Sequence, residues 1–173
     1  MFSACQSRFC QVTGKADSMA DGDTLLVSND LKTGKPTAVV IVQDGHFSWR
    51  TEADTARLYR LWALHQPQRS LTFFAERGKV VVSLDHANGR VTGTPLNNKW
   101  QALNDMAADY SQRINRYIRC HMAAGTPPSL IARRVDQLYR EMERHVSEAA
   151  EQNKDNELGR FILSHHTDFF KKQ

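Results

Sequence analysis

The sequence predicts an α+β fold: an antiparallel β-sandwich or barrel-like module of about eight strands, then a C-terminal helical hairpin and a short third helix. Three observations carry this. The first half consists of short β-branched apolar runs punctuated by glycine. The second half has a helical apolar period almost to its end. The change is sharp at Thr94-Pro95, where a threonine able to cap a helix precedes a proline suited to the first helical turn. Residues 1–94 therefore read as a β-rich module and residues 95–173 as a helical segment packed on it, together one structural unit.

Residues 7–15 form the first predicted strand, with Phe9, Gln11 and Thr13 on one face, Cys10 and Val12 on the other, and Gly14 near its end. Asp21-Gly22-Asp23 is a turn before a short strand at 24–27. The loop at 29–36 is largely polar. Thr37-Ala38-Val39-Val40-Ile41-Val42 is too short for a helix and continuous enough to be a strand buried on both faces. Asp44-Gly45 tolerates positive φ at both turn positions, so it predicts a hairpin into the alternating run 46–51. Phe47 and Trp49 share a face there and are candidate aromatic core anchors. The run 57–64 offers Leu58, Leu61 and Trp62 to a helix, but its position between strands favours a strand. Pro67 breaks the chain before a strand at 70–76, Arg77-Gly78 turns it, and a strand centred on Val80-Val81-Val82 follows. Asn88-Gly89 predicts a second hairpin into a last short strand at 90–92. Helical crossovers between strands are absent, which argues against a doubly wound fold.

Beyond the joint, Leu96, Trp100, Leu103, Ala107, Tyr110, Ile114, Tyr117 and His121 are spaced four, three, four, three, as one stripe of a single helix. Gly125-Thr126-Pro127-Pro128 ends it and starts the next, whose stripe is Ile131, Val135, Leu138, Met142, Val146 and Ala149. The short connection predicts antiparallel packing of the two helices. The polar run 153–156 is suited to capping a third helix through Leu158, Phe161 and Ile162.

With 40% hydrophobic and 24% charged residues among 173, the chain is long and apolar enough to bury a core. The net charge of +4 is scattered among acids, with no basic run interleaved with aromatics, so nucleic acid is not an expected partner. No stretch reaches the length of a membrane-spanning helix, and the chain opens without a signal-peptide apolar core. Phe2-Ser3-Ala4-Cys5 does look like the end of a bacterial lipoprotein signal, which makes Cys5 a candidate lipidation site and a lipid anchor the one expected membrane link. An arbitrary N-terminus fits those residues equally well.

The three cysteines, Cys5, Cys10 and Cys120, form no C-x-x-C pair, metal-ligand spacing or dense disulfide framework. Cys10 and Cys120 are able to pair, although two separately buried thiols are the commoner outcome. His165-His166-x-Asp168 and Cys120-His121 put neighbouring ligands about 100° apart on a helix, a poor arrangement for one ion. A metal-linked enzyme using His121, His165 or His166 is thus a weak expectation, and no metal or other cofactor is assigned. Glu141 and Glu143 face different ways, and there is no phosphate-binding or dinucleotide motif. No catalytic residue is recognisable, which favours a binding, docking or spacer module over an enzyme. Of the strand aromatics, Trp49 and Trp62 are the candidate ligand-face residues, set against core packing as the commoner role of such rings.

Four motifs come in order: Thr13-Gly14; Gln43-Asp44-Gly45-His46-Phe47-Ser48-Trp49; Glu76-Arg77-Gly78-Lys79-Val80; and Val91-Thr92-Gly93-Thr94-Pro95-Leu96-Asn97. In this the chain, over residues 8–161, resembles the N-terminal domain of unknown function that precedes a thioredoxin-like domain in envelope thiol-disulfide oxidoreductases of Bacteroides-type bacteria. The resemblance implies a β-rich module followed by helices, a location in the cell envelope (periplasm or outer-membrane-associated lipoprotein), and a thioredoxin-like redox domain as partner in cis or in trans. It implies no catalysis by this chain, which lacks the family's W-C-x-x-C. The expectation is a non-catalytic accessory module that docks, positions substrate or dimerises. The alternative is a stand-alone envelope lipoprotein that binds a small ligand or glycan.

Overall fold

The computed structural model describes residues 8–84 and 89–165. Cys5, Asn88, His166 and Asp168 lie outside them, as do the lipoprotein-like segment and one residue of the second predicted turn. Among the described residues there are eight strands: β1 (Phe9–Lys15), β2 (Thr24–Ser28), β3 (Ala38–Ile41), β4 (His46–Glu52), β5 (Arg57–Ala63), β6 (Gln66–Ala75), β7 (Gly78–Ser83) and β8 (Arg90–Thr92). Three helices follow, α1 (Pro95–Ala123), α2 (Pro128–Gln152) and α3 (Glu157–His165). The α+β class stands. The strands make two four-stranded sheets, ordered β4-β1-β7-β8 and β3-β2-β5-β6, and no closed barrel.

Period-two alternation builds the core between the sheets. Cys10 and Val12 of β1, Val80 and Val82 of β7, Leu25 and Val27 of β2, and Tyr59 and Leu61 of β5 are buried. Gly14 lies directly opposite Phe47 across the β1–β4 ladder. A Cβ on Gly14 would stand 2.0 Å from the Phe47 ring, so the glycine makes room for that ring.

Four expectations need correction. The sheets are not wholly antiparallel, because β1 pairs with β7 in parallel, Val12 opposite Val80. The Asp44-Gly45 turn forms with positive φ at both residues (50° and 68°), and Gln43 and His46 exchange backbone hydrogen bonds of 2.9 Å. Yet it is a corner and not a full hairpin: the Ala16 N–H donates to the Gly45 carbonyl at 2.7 Å, and β4 leaves β3 to pair with β1. The Thr37–Val42 run is not buried on both faces. Val40 is inside, whereas Val39 and Ile41 are 62% and 45% exposed, since β3 is an edge strand with an uncovered outer side. Pro67 lies within β6 and does not precede it, which is compatible with an edge strand where a missing donor does not break the ladder.

The chain forms two compact units, residues 1–101 and 102–173, dividing inside α1. In the first unit, the opening turns of α1 fasten the free edges of β6 and β8. Asn97 is fully buried. Its Oδ1 accepts from the Phe74 N–H at 2.9 Å and its Nδ2 donates to the Phe74 carbonyl at 2.7 Å, so one side-chain amide replaces a neighbouring strand. Trp100 Nε1 donates to the Thr72 carbonyl at 3.0 Å, with its ring edge-on to Phe74. Gln101 Oε1 accepts from the Val91 N–H at 2.8 Å on β8. The α1 N-terminus is satisfied differently from expectation. Glu76 Oε1, from the β6–β7 turn, accepts the Leu96 N–H at 2.7 Å, a carboxylate placed where the helix dipole favours it. Thr94 Oγ1 instead accepts from Asn97 Nδ2. Gly93, at φ 104°, passes so close to β7 that a Cβ would fall 2.3 Å from the Lys79 carbonyl oxygen.

In the second unit, Tyr110 and Ile114 of α1 meet Leu138 and Met142 of α2, with Met106, Ile118, Val135 and Tyr139 around them. The α2 stripe ends on buried Ala150, one residue past the expected Ala149. Asn156 starts α3 as expected, its Oδ1 accepting from the Leu158 and Gly159 N–H groups.

Asn97→Ala removes the two buried hydrogen bonds that its side chain makes to the Phe74 backbone. It is expected to lower unfolding free energy by on the order of 2–4 kcal/mol, measured by urea denaturation. Arg119→Ala, at an exposed position further along α1, should change it by less than about 0.5 kcal/mol.

Candidate functional site

Strand register separates the two candidate tryptophans. Trp49 lies opposite Val12 on the inner side of β4. Its ring stands edge-on to Tyr59 and Phe73 of the other sheet, with centroids 5.1 and 6.2 Å away. Tyr59 and Phe73 are themselves cross-strand partners and stack at 5.8 Å. Trp49 thus joins the sheets at their aromatic core and is only half-buried.

Trp62 points the other way. On β5, Tyr59, Leu61 and Ala63 face inward, so Leu58, Arg60 and Trp62 face outward. Trp62 and Val39 both lie opposite Leu26, forming a row Val39–Leu26–Trp62 across three strands. Exposed Ile41 and Leu64 extend this patch. The Arg60 guanidinium lies 5.5 Å from the Trp62 ring and reaches Ser70 Oγ at 3.5 Å. The outer side of the second sheet therefore combines a half-exposed aromatic ring, a flanking cation and the Ser70 hydroxyl.

The thiols are free and dissimilar. Cys10 is buried in the first unit. Desolvation pushes its pKa up from 9.0 to about 11, with a backbone hydrogen bond at Glu76 acting the other way and the Glu76 charge adding to the rise. Cys120 is exposed on α1 in the second unit, contrary to the expectation of two buried thiols. The histidines are engaged locally. His121 stacks on Tyr117 at 4.0 Å and meets Thr126 Oγ1 at 3.2 Å. His165 lies against Phe161 and Ser164. Among the described residues no three His, Cys, Asp or Glu side chains gather as a metal site would need.

The motif residues do structural work. Gly14 admits Phe47, Asp44-Gly45 turns the sheet corner, Glu76 holds the α1 N-terminus, and Gly93, Thr94 and Asn97 build the edge clasp. The same span is what a comparison with known families identifies: residues 10–100 match the family described as Domain of unknown function (DUF4369). The chain belongs to that family. No curated protein and no solved structure matches it. The DUF4369 match ends at Trp100, one residue before the end of the first compact unit. The DUF4369 region thus includes the opening helical turns as well as the strands.

Glu76 and Asn97 were not singled out for their roles by the sequence pattern, although both fall inside motifs. Their hydrogen-bond partners are 20 and 23 residues away in sequence, and no periodicity marks such a pair.

In a folded Cys5→Ser chain, a thiol reagent at neutral pH should add once, at Cys120, and leave Cys10 unmodified until denaturant is added, as read by intact mass. Because folding raises the Cys10 pKa, the unfolded chain releases its proton first. Stability from this group is full below pH 9.0 and falls as pH rises toward about 11. Cys10→Ala should flatten that decline in urea midpoints across the same window.

Proposed function

We propose that this chain is a non-catalytic accessory module of a cell-envelope thiol-disulfide oxidoreductase, serving to dock or position a thioredoxin-like redox domain. The observation that carries the reading is the DUF4369 match over residues 10–100, together with the use of its motif residues for turns, a helix cap and an edge clasp. Residues committed to holding backbone in place suit a scaffold. The thiol chemistry points the same way: disulfide exchange requires an accessible thiolate, and the thiol inside the DUF4369 span is sealed and held protonated. The redox partner, in cis or in trans, supplies the exchanging pair.

A second reading is favoured by the Trp62 face. An aromatic ring beside a guanidinium and a hydroxyl is chemistry that recognises sugar rings and other small polar ligands. In that reading the chain is an envelope lipoprotein that binds a ligand or glycan.

The chain alone should not accelerate insulin-disulfide reduction by dithiothreitol, and it should bind a thioredoxin-like oxidoreductase domain in surface plasmon resonance. Turnover by the chain alone, or no binding to such domains, rejects the accessory reading. Under the ligand reading, glycans quench tryptophan fluorescence in the wild type and not in Trp62→Ala; a silent glycan panel rejects it.

A further inference from the structure

β3 has one strand neighbour among the described residues, β2, and its other side is a sheet edge. An exposed edge presents a row of backbone donors and acceptors to any strand that approaches. Natural edges are blunted by charges, proline, bulges or a covering element. The opposite edge of this sheet, β6, follows that rule: it carries Pro67 and is covered by Asn97 and Trp100. β3 does not. It reads Ala38-Val39-Val40-Ile41, and its ladder with β2 is extended on both sides by the Thr37 and Val42 N–H groups, which donate to β2-side carbonyls. Val39 and Ile41, the two outward residues, are 62% and 45% exposed.

The charges beside this edge are arranged head against tail. Lys32 and Lys35 precede β3, with Asp30 held by Thr33 and Lys32 within the same loop. Asp44 follows it, and Asp21 of the β1–β2 connection is brought beside it by the hydrogen bond from the Asp44 N–H to Asp21 Oδ1 at 2.7 Å. Lys35 and Asp44 take part in no ion pair among the described residues. Two antiparallel copies of one strand, related by a two-fold axis normal to the sheet, put the start of each beside the end of the other. Such an isologous contact meets itself residue by residue.

We propose that β3 is the dimerisation edge of this protein, pairing antiparallel with β3 of a second copy about a two-fold axis at Val40. Same-face pairing then sets Val39 of each copy against Ile41 of the other. Lys35 of each copy comes alongside the Asp44 turn of the other, so the charges attract twice. The two second sheets join into one of eight strands. The apolar row Val39–Leu26–Trp62 becomes continuous with the outer face of the other copy. The inference is independent of the redox reading, since it uses only the edge, its side chains and its charges.

Sedimentation equilibrium of the full chain tests it. A concentration-dependent dimer is expected. Val39→Lys and Ile41→Lys, each folded by circular dichroism, should weaken it at least about tenfold. Lys35→Glu should weaken it at low ionic strength and less so at high salt. Val39→Cys/Ile41→Cys in a Cys5→Ser/Cys120→Ser background should oxidise to a covalent dimer, whereas Val81→Cys in the same background, exposed on the other sheet, should not. A dimer unaffected by both lysine substitutions overturns the proposal. So does a chain that is monomeric at every concentration, which would leave the β3 edge to a strand from another protein.

Discussion

A single carboxamide decides how the β unit closes. The Asn97 side chain meets both backbone groups of Phe74, and without it the β6 edge would lose a buried donor bond and a buried acceptor bond at once. Everything near it is arranged around that contact. Glu76 accepts the first amides of α1 and fixes the helix start. Thr94 takes the remaining Asn97 donor. Gly93 lets the chain pass β7 at a distance no side chain allows. Trp100 and Gln101 repeat the same device on the next turn, each on a different strand. The hydrophobic effect drives the sheets together, but it is non-directional. The geometry of these polar contacts selects where the helix begins relative to the strands.

The same logic explains the division of labour between the two sheet edges. One side is closed by the Asp44-Gly45 corner and left with an apolar strand facing outward. The other is closed by a helix whose side chains act as a strand. The tryptophans follow suit. Trp49 is part of the aromatic bridge between the sheets, and Trp62, thirteen positions on, stands on the opposite side of the second sheet. The two differ by the strand register of their neighbours and not by residue type.

Local signals were legible in the sequence, and non-local ones were not. Short apolar runs between turn residues located the strands, period 3.6 the helices, and the polar run 153–156 the start of α3, because those signals act over a few residues. The parallel pairing of β1 with β7 joins segments far apart in the chain. The departure of β4 from β3 depends on a backbone hydrogen bond to Ala16. The exposure of Val39 depends on what lies outside the sheet, which an apolar run alone does not reveal. Asn97 is the sharpest case: it sits in a motif recognised from sequence, yet its role is visible only with Phe74 beside it. For the candidate site, the sequence singled out both tryptophans and also read Trp49 as a core anchor; strand register was needed to put Trp62 on the outer face.

The clasp also has a consequence for the order of events during synthesis. All eight strands precede α1 in the chain, so they leave the ribosome before the residues that seal β6 and β8. A nascent chain that has just delivered β8 holds the eight strands of the described residues with the β6 and β8 edges still uncovered. Unpaired strand edges attract other chains. The nascent module is therefore most vulnerable to association immediately before its last few residues emerge, and Asn97, Trp100 and Gln101 end that interval by occupying the edges themselves.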